Sequence, residues 1–419
     1  MTAFIFLATL ILSVPVAIVL VIAAVWYIWQ SGNTVLYDSI ALKMFGGLEN
    51  YGLLAIPLFM LTGELMNEGG MTKRLINAAR VFVGGFRGGL AYINLLANMF
   101  MAAIIGSATA QIAVMSRAMV PAMEEEGHDK GFAAATTAAG GLLAPVIPPS
   151  MMFVIYGVLA QIPIGEMFIA GIIPGLLLAS AFALVITVIG WVHQFPKGAW
   201  LTRKQAANAL LDAMPALLIP LSIIGGILFG IATPTESAAI ASLIAFLVGW
   251  LFYGELKPSH LGEMFTRTAA NASMIIFMIA AASVFGWVII YEEVPQKLAS
   301  LITSVTSDPF LFLLIVNAAL LVVGMVIDGI AAIILITPIL LPIAMGSYDI
   351  SPYQFGVVVC LNLALGLLTP PVGIGLYIAS AMSNTTPGEI LKALWPFLLV
   401  VAFILVLLSY FPVLSLLLI

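Results

Sequence analysis

The sequence of 419 residues predicts an all-α polytopic membrane protein with an inverted repeat, two re-entrant helical hairpins and two broken helices. Three observations lead to this prediction. The chain is 63% hydrophobic and 8% charged, whereas soluble domains carry roughly 25% charged residues. Its basic residues collect on one side of the predicted spans. Its two halves also share the same spacing of glycine, proline and polar residues.

Apolar windows of about 20 residues have the length needed to cross the hydrocarbon core of a bilayer. Of the 14 Lys and Arg residues, all but Lys43 and Lys297 fall on one side when the chain is threaded through these windows. Basic loops are retained on the cytoplasmic side, so the side with the many basic residues is predicted to be cytoplasmic. The predicted spans are 3–29, 52–68, 131–160, 168–192, 214–232, 236–254, 270–291, 355–383 and 394–416.

Two further apolar stretches, 90–120 and 309–345, fit this threading only if each enters and leaves on the same side. Each offers two legs of about 14 residues, which reach ~20 Å against a core of ~30 Å. Each also has a weakly helical middle, "IIGSATAQ" at 104–111 and "VGMVIDGIA" at 323–331. We therefore predict two re-entrant hairpins with tips near the membrane centre. The alternative, two kinked ordinary spans, would put basic loops on both sides.

The two halves match in order along the chain, at offsets between 218 and 225 residues. "NMFMAAIIG" at 98–106 matches "NAALLVVG" at 317–324, and "GLLAPVIPP" at 141–149 matches "GLLTPP" at 366–371. Five predicted crossings separate the matching spans, and this odd number means that the halves run in opposite directions. Inverted repeats of this kind are typical of secondary transporters, which build a central site between the two halves.

The prolines in each half interrupt a span at 131–160 and at 355–383. Broken backbone at membrane depth is tolerated only where it lines protein or a polar cavity. Its carbonyls and helix ends bind Na⁺ and anionic substrate groups, which predicts one Na⁺ site in each half. The first would be formed by Ser107, Thr109, Pro148, Pro149 and Ser150. The second would be formed by Gly324, Asp328, Thr369, Pro370 and Pro371. The substrate cavity between them would involve Asn98, Ala108, Asn317, Gly329 and Asn362.

Two alternatives remain open for these side chains. A hydroxyl in a membrane helix can simply bond back to a carbonyl of its own helix. Asp328 can act as the N-cap of the second leg of its hairpin, or it can bind sodium directly, because an acid at mid-membrane is costly and often functional.

Several function classes are disfavoured. Cys360 is the only cysteine, so no disulfide within the chain and no cysteine metal cluster is expected. The sequence has no Walker A loop, no HExxH motif and no dinucleotide fingerprint. We therefore expect no enzyme and no nucleic-acid partner. The repeat and its closed hairpin tips also disfavour a passive channel.

The motifs resemble, over essentially the whole chain, the large membrane subunit of tripartite ATP-independent periplasmic (TRAP) transporters. The resemblance rests on "IPLFMLTGELM", "GSATAQIAVMSRAMVPAM", "GLLAPVIPPSMMFVIYG", "ITPILLPIA" and "LGLLTPPVGIGLYIAS". The first hairpin tip reads G-S-A-T where many relatives carry two adjacent serines. Thr109 or Ala108 therefore takes the place of one ligand.

The resemblance implies a protein of the bacterial inner membrane that imports an organic acid with Na⁺, either a C4-dicarboxylate or a sialic-acid-like carboxylate. It implies an elevator-type movement of a transport domain against a scaffold. It also implies two separate partner chains, a small four-helix membrane subunit and a periplasmic substrate-binding protein. The alternative function is a stand-alone, ion-coupled carboxylate carrier that needs no binding protein.

The expected domain organisation follows from the repeat. We expect the static scaffold in 1–60 with 214–265, and the moving body in 90–174 with 309–383. The predicted segments are 1–68 for N-terminal scaffold helices, 69–192 for the transport part of the first repeat, 193–291 for a linker and the scaffold helices of the second repeat, and 292–419 for the second transport part and a C-terminal helix.

Overall fold

The computed structural model describes residues 2–12, 14–33, 36–195, 197–198 and 200–419, and this part of the chain contains helices and no β-strand. The first half has α1 (Thr2–Ile11), α2 (Val16–Ser31), α3 (Leu36–Gly46), α4 (Ala55–Glu68), α5 (Met71–Val83), α6 (Gly89–Ile105), α7 (Ala108–Glu125), α8 (Lys130–Gly141), α9 (Met151–Ala160) and α10 (Ile164–Val192). The second half has α11 (Arg203–Leu228), α12 (Pro234–Leu247), α13 (Pro258–Tyr291), α14 (Val294–Val305), α15 (Pro309–Gly324), α16 (Gly329–Tyr348), α17 (Pro352–Leu367), α18 (Ile374–Ser383), α19 (Pro387–Tyr410) and α20 (Val413–Leu416).

The described residues include six helices that are long and apolar enough to cross a membrane: α10, α11, α12 with its continuation to Phe252, α13, α16 and α19. The chain is therefore a multi-pass membrane protein. The prediction of a single span at 3–29 is wrong, because α1 ends at Ile11 and α2 begins only at Val16. Pro15, directly before α2, lacks the backbone N–H that a continuous helix needs at this position.

Local sequence explains where several of these helices begin. α12 and α19 each start with a threonine, a proline and, three residues after the threonine, a glutamate. Thr233 and Thr386 accept hydrogen bonds from the backbone N–H groups of Glu236 and Glu389, and each glutamate accepts from the threonine N–H in return. Such capping boxes satisfy N–H groups that have no partner within the helix, and proline fits the first helical position.

The helices confirm the inverted repeat. The series α5, α6–α7, α8–α9 and α10 recurs in the same order as α14, α15–α16, α17–α18 and α19. The packing is also reciprocal: α7 packs against α18, whereas α16 packs against α9. Likewise α19 packs against α8, and α10 packs against α17. Each repeat therefore completes its interior with helices of the other.

Both predicted hairpins and both breaks are present. α6 and α7 form the first hairpin, and α15 and α16 the second, while α8–α9 and α17–α18 are the interrupted helices. The legs have 16 to 20 residues, so the prediction of about 14 residues for each leg is wrong. The tips are tight turns, of only Gly106 and Ser107 in the first hairpin, and therefore leave more of each stretch helical.

A cluster around Arg74 joins the amphipathic helix α5 to α11 and to the loop before α13. The guanidinium of Arg74 lies 2.7 Å from a carboxylate oxygen of Glu255 and 3.3 Å from one of Asp212. It also lies over the ring of Tyr253, 3.7 Å from the ring centre. Charge-assisted hydrogen bonds and contact with an aromatic face both favour arginine over lysine at such a position.

We expect Arg74→Ala to lower the free energy of unfolding by about 2 kcal/mol, because it removes a cation–π contact and two charged hydrogen bonds. Thermal denaturation of the detergent-solubilised protein measures this effect. Arg80→Ala is the matched control, since Arg80 is half-exposed and makes a single 3.5 Å contact with Glu126, and surface pairs contribute only about 0–1 kcal/mol. Equal losses in the two variants would contradict a special role for Arg74.

Candidate functional site

The tips of the two hairpins meet inside the molecule. The first hairpin turns at Gly106 and Ser107, and the second turns just before Asp328. Both tips line one small cavity of about 90 Å³, together with residues of the first break and of α17. The outer ends of the hairpins lie at opposite ends of the molecule. α7 ends beside Arg80 of the basic side, whereas the residues that follow α16 lie beside α9 and the start of α10, where Tyr156 donates to the carbonyl of Pro352 and Tyr353 donates to Glu166. Neither hairpin therefore passes beyond the depth at which the tips meet.

A second, larger cavity of about 570 Å³ adjoins the first. Ser107, Thr109 and Asp328 belong to the walls of both cavities. The opposite wall of the larger cavity is formed by α4 and α13. Its residues are Met60, Gly63, Glu64 and Asn67 of α4, and Thr268, Asn271, Met274, Ile275 and Met278 of α13. Asn67 and Asn271 are exposed, so the cavity opens past them towards the end of the molecule that carries Lys73 and Arg74.

The first predicted site is assembled only in part. The hydroxyls of Ser107 and Thr109 lie 3.1 Å apart at the tip, and Ser107 makes no side-chain cap on α7 although it holds the N-cap position. Both hydroxyls are therefore available to the cavities. Gly106 adopts the left-handed conformation with φ of 62°, which glycine tolerates without steric cost. This conformation brings the tip against the backbone N–H of Met151, at the end of the first break.

The remaining residues of the first predicted site face elsewhere. The Ser150 hydroxyl is buried and donates to the carbonyl of Pro145, 2.8 Å away, while it also caps α9. Pro148 and Pro149 line a separate hollow with residues of α10 and α11. Ala108, predicted for the substrate cavity, lines the small cavity at the tips.

In the second half, Asp328 lines both cavities and caps α16, because its carboxylate accepts from the backbone N–H of Ile330 at 3.1 Å. The capping role is therefore confirmed, and the sodium role stays a prediction. Gly329 lines the small cavity beside it. The Thr369 hydroxyl bonds back to the carbonyl of Leu365 at 2.7 Å. Pro370 is partly exposed and Pro371 is exposed.

Gly324 contributes close packing. It ends α15 and lies directly on the backbone of Gly366 in α17. Next to it, the N–H of Gly373 in the second break donates to the carbonyl of Met325 at 3.2 Å. The tip of each hairpin is therefore in contact with the broken helix of its own repeat.

The three predicted asparagines belong to polar networks behind the tips and line neither cavity; Asn98 and Asn362 are buried, and Asn317 is partly buried. Gln111 of α7 donates to the side-chain oxygen of Asn98 of α6 at 2.8 Å, which joins the two legs of the first hairpin. In the second half, Asn362 donates to the side-chain oxygen of Asn317 at 2.8 Å, which joins α17 to α15. Their placement behind the tips differs from the predicted position in the substrate cavity.

The polar wall on α4 and α13 was not predicted from the sequence. Its signal is present in the sequence, because Glu64 and Asn67 are three residues apart on one helix, and so are Thr268 and Asn271 on another. Residues three apart share a helix face. Among the described residues, the charged side chains that line the two cavities are Glu64 and Asp328, both of them acids.

Comparison with known proteins identifies the family. Residues 3–414 match the family model described as "Tripartite ATP-independent periplasmic transporter, DctM component". The structure is also similar to that of the YdaH transporter of Alcanivorax borkumensis, with a TM-score of 0.66 at 14% sequence identity, over 91% of this chain and 88% of that one. This similarity supports the fold alone.

Curated relatives are more similar in sequence. Over 96% of its length, this chain is 36% identical to the isethionate TRAP transporter permease protein DctMQ of Oleidesulfovibrio alaskensis. DctMQ is longer, and this chain covers 63% of it. It is 34% identical to the sialic acid TRAP transporter large permease protein SiaM of Vibrio cholerae, over 98% of this chain and 96% of that one. It is 35% identical to the C4-dicarboxylate TRAP transporter large permease protein DctM of Pseudomonas aeruginosa, over 90% and 88%. With the inverted repeat, the paired hairpins and the broken helices, these matches show that the chain belongs to the DctM family of TRAP transporter large permease components.

Proposed function

We propose that this chain is the transport subunit of a TRAP transporter that imports an organic acid together with Na⁺ across the bacterial inner membrane. The similar permeases are named for isethionate, sialic acid and C4-dicarboxylates. All three substrates carry an acidic group that is ionised at neutral pH. An organic anion is therefore the substrate class that these relatives favour for this chain.

The proposal rests mainly on the negative charge of the two cavities. Their charged lining residues, within the part of the chain that the structure describes, are the acids Glu64 and Asp328. An anion that entered such a cavity alone would leave water and face repulsion from both acids. Cations bound beside the hairpin tips would offset this cost. The hydroxyls of Ser107 and Thr109, the carboxylate of Asp328 and the backbone carbonyls at the ends of α6 and α15 are suitable oxygen ligands for Na⁺.

An elevator-type movement is supported by the way in which the larger cavity is divided. One wall consists of hairpin tips and the first break, and the other consists of α4 and α13. Gly63 of α4 lies against the carbonyl of Ile104 in the first hairpin, so the two walls are in close contact without interlocking side chains at that point. The cavity opens on the basic side, which corresponds to an inward-facing state.

The partner proteins belong to the same proposal. A third cavity of about 620 Å³ lies at the end of the molecule opposite the basic side, between the beginning of α4, the α9–α10 loop and the α11–α12 turn. It bridges the proposed scaffold and the proposed moving body, which suits docking of a periplasmic binding protein. The small membrane subunit would cover apolar side chains that α11 exposes: Leu211, Met214, Leu218 and Leu221.

Uptake into proteoliposomes tests the proposal. The chain is reconstituted alone, with its small subunit, and with both partners, and uptake of labelled N-acetylneuraminate, succinate or isethionate is followed with and without an inward Na⁺ gradient. We expect uptake of at least one acid that requires the gradient and both partners. Full-rate uptake by the chain alone would instead support the stand-alone carrier. Uptake that is independent of Na⁺ would contradict the coupling.

A further inference from the structure

The polar wall on α4 and α13 lies across the larger cavity from the hairpin tips. It consists of Glu64, Asn67, Thr268 and Asn271, which we call the distal wall. The same cavity has an apolar lining formed by Met60, Met274, Ile275 and Met278. A molecule held at the tips by its acid group would therefore have both apolar side chains and these polar groups within the one cavity.

Thr268 shows that the distal wall has unused hydrogen-bonding capacity. Its side chain is only 6% exposed, and its hydroxyl has no hydrogen-bond partner in the described part of the chain. A buried polar group without a partner is costly, and such groups usually bind water or a ligand. Thr268 lines the cavity, but its hydroxyl oxygen lies below the cavity surface. Threonine divides between two side-chain rotamers in a helix, so rotation about its Cα–Cβ bond would let a hydroxyl or amide of a bound molecule supply the missing hydrogen bond.

The net charge of the distal wall determines which chemical group of a ligand can bind there. The guanidinium of Arg267 lies outside the cavity lining, 3.1 Å from Glu68 and 3.5 Å from Glu64. This one cation is thus shared by two acids, and the wall keeps a negative excess. A carboxylate arriving at the distal wall would meet this excess, whereas a hydroxyl could donate to Glu64.

We propose that the distal wall is a subsite for the uncharged, hydroxyl-bearing end of the transported acid, and that Glu64 excludes a second carboxylate from it. This inference rests on the proposed function, and it narrows the substrate from organic acids in general to hydroxylated monocarboxylates. A site built to hydrogen-bond a hydroxyl also discriminates strongly against analogues that lack it, because its own polar groups are then left unpaired.

Three four-carbon acids test the proposal on the membrane complex in nanodiscs. These are 4-hydroxybutanoate, succinate and butanoate, which end in a hydroxyl, a second carboxylate and a methyl group. A ligand that binds the folded state raises its thermal stability by mass action, so apparent affinities follow from the melting temperature at increasing concentrations, with NaCl or KCl. We expect Na⁺-dependent stabilisation in the order 4-hydroxybutanoate, butanoate, succinate.

Variants assign this preference to residues. Glu64→Gln is expected to tighten succinate binding about tenfold by removing the repulsion. Thr268→Val is expected to weaken 4-hydroxybutanoate about fivefold without affecting butanoate. Glu68→Gln is the matched comparison: it also leaves Arg267 with a single acid, but Glu68 does not line the cavity. Glu64 then keeps its charge at the distal wall, so succinate binding should tighten clearly less than in Glu64→Gln.

Each contrary outcome is decisive. A wild-type preference for succinate, or equal effects of Glu64→Gln and Glu68→Gln, would overturn the subsite and leave the proposed function intact. If neither these acids nor N-acetylneuraminate and isethionate stabilised the complex with Na⁺, the proposed function would fail and the subsite with it.

Discussion

Asp328→Asn is expected to weaken the Na⁺ dependence of uptake strongly while the protein remains folded. Asn and Asp are equally good N-caps, so the variant keeps the oxygen that accepts from Ile330 and removes only the negative charge. If this charge helps to bind a cation at the hairpin tips, its loss should raise the Na⁺ concentration for half-maximal uptake at least about tenfold, the ratio to which 1.4 kcal/mol corresponds. The melting temperature without ligand should not fall.

Asp308→Asn is the matched control for this experiment. Asp308 caps α15 at the outer end of the same hairpin, where it accepts from Phe310 at 3.1 Å, and it lines neither cavity at the tips. Its variant should transport normally. Na⁺ dependence in Asp328→Asn equal to that of the parent protein would mean that Asp328 only caps α16.

Gly366→Ala is expected to destabilise the second half and to displace its hairpin tip. An added Cβ atom would lie 2.5 Å from the carbonyl carbon of Gly324, a backbone atom that cannot rotate away. Overpacking of a well-packed interior costs about 1–3 kcal/mol. α15 ends at Gly324, directly before the turn that leads to Asp328. A displaced Gly324 would therefore move Asp328, and we also expect Na⁺-driven uptake to fall sharply.

Gly346→Ala provides the comparison, because Gly346 is a helical glycine of the same hairpin with no atom within 4 Å of an added Cβ. Alanine is the better helix former by about 1 kcal/mol, so this variant should be as stable as the parent protein or more so. Thermal denaturation and uptake are measured for both variants. If Gly366→Ala behaved like Gly346→Ala, α15 and α17 would have to separate readily at this contact.

The sequence predicted those parts of the fold that depend on local chemistry. Helices are interrupted at Gly106 and at the proline pairs Pro148–Pro149 and Pro370–Pro371, whereas single prolines such as Pro174 lie inside a continuous helix. Because paired prolines are a stronger signal than single ones, the breaks could be located without coordinates. The direction in which each side chain of a helix points could not be predicted in this way. Asn98 and Asn317 lie close to the tips along the chain, but they face neighbouring helices and form hydrogen bonds there.

The distal wall could not be predicted from the sequence for another reason. Glu64 and Thr268 are about two hundred residues apart, and only the packing of α4 against α13 brings them to one cavity. Periodicity shows that each lies on a helix but does not show what that helix faces. The N-terminal prediction failed because hydropathy over 3–29 is continuous and does not show that α1 ends at Ile11 and that α2 begins after Pro15.

The reciprocal packing of the two repeats has a consequence for how the protein is made. α7 packs on α18, which the ribosome synthesises roughly 250 residues later. At about 5–20 residues per second, the first hairpin therefore waits for on the order of 10 to 50 seconds with one side uncovered in the bilayer. Newly made chains should depend on membrane insertases or chaperones during this interval. Chains that terminate early should be removed by membrane proteases, because half of the polypeptide cannot close its own interior.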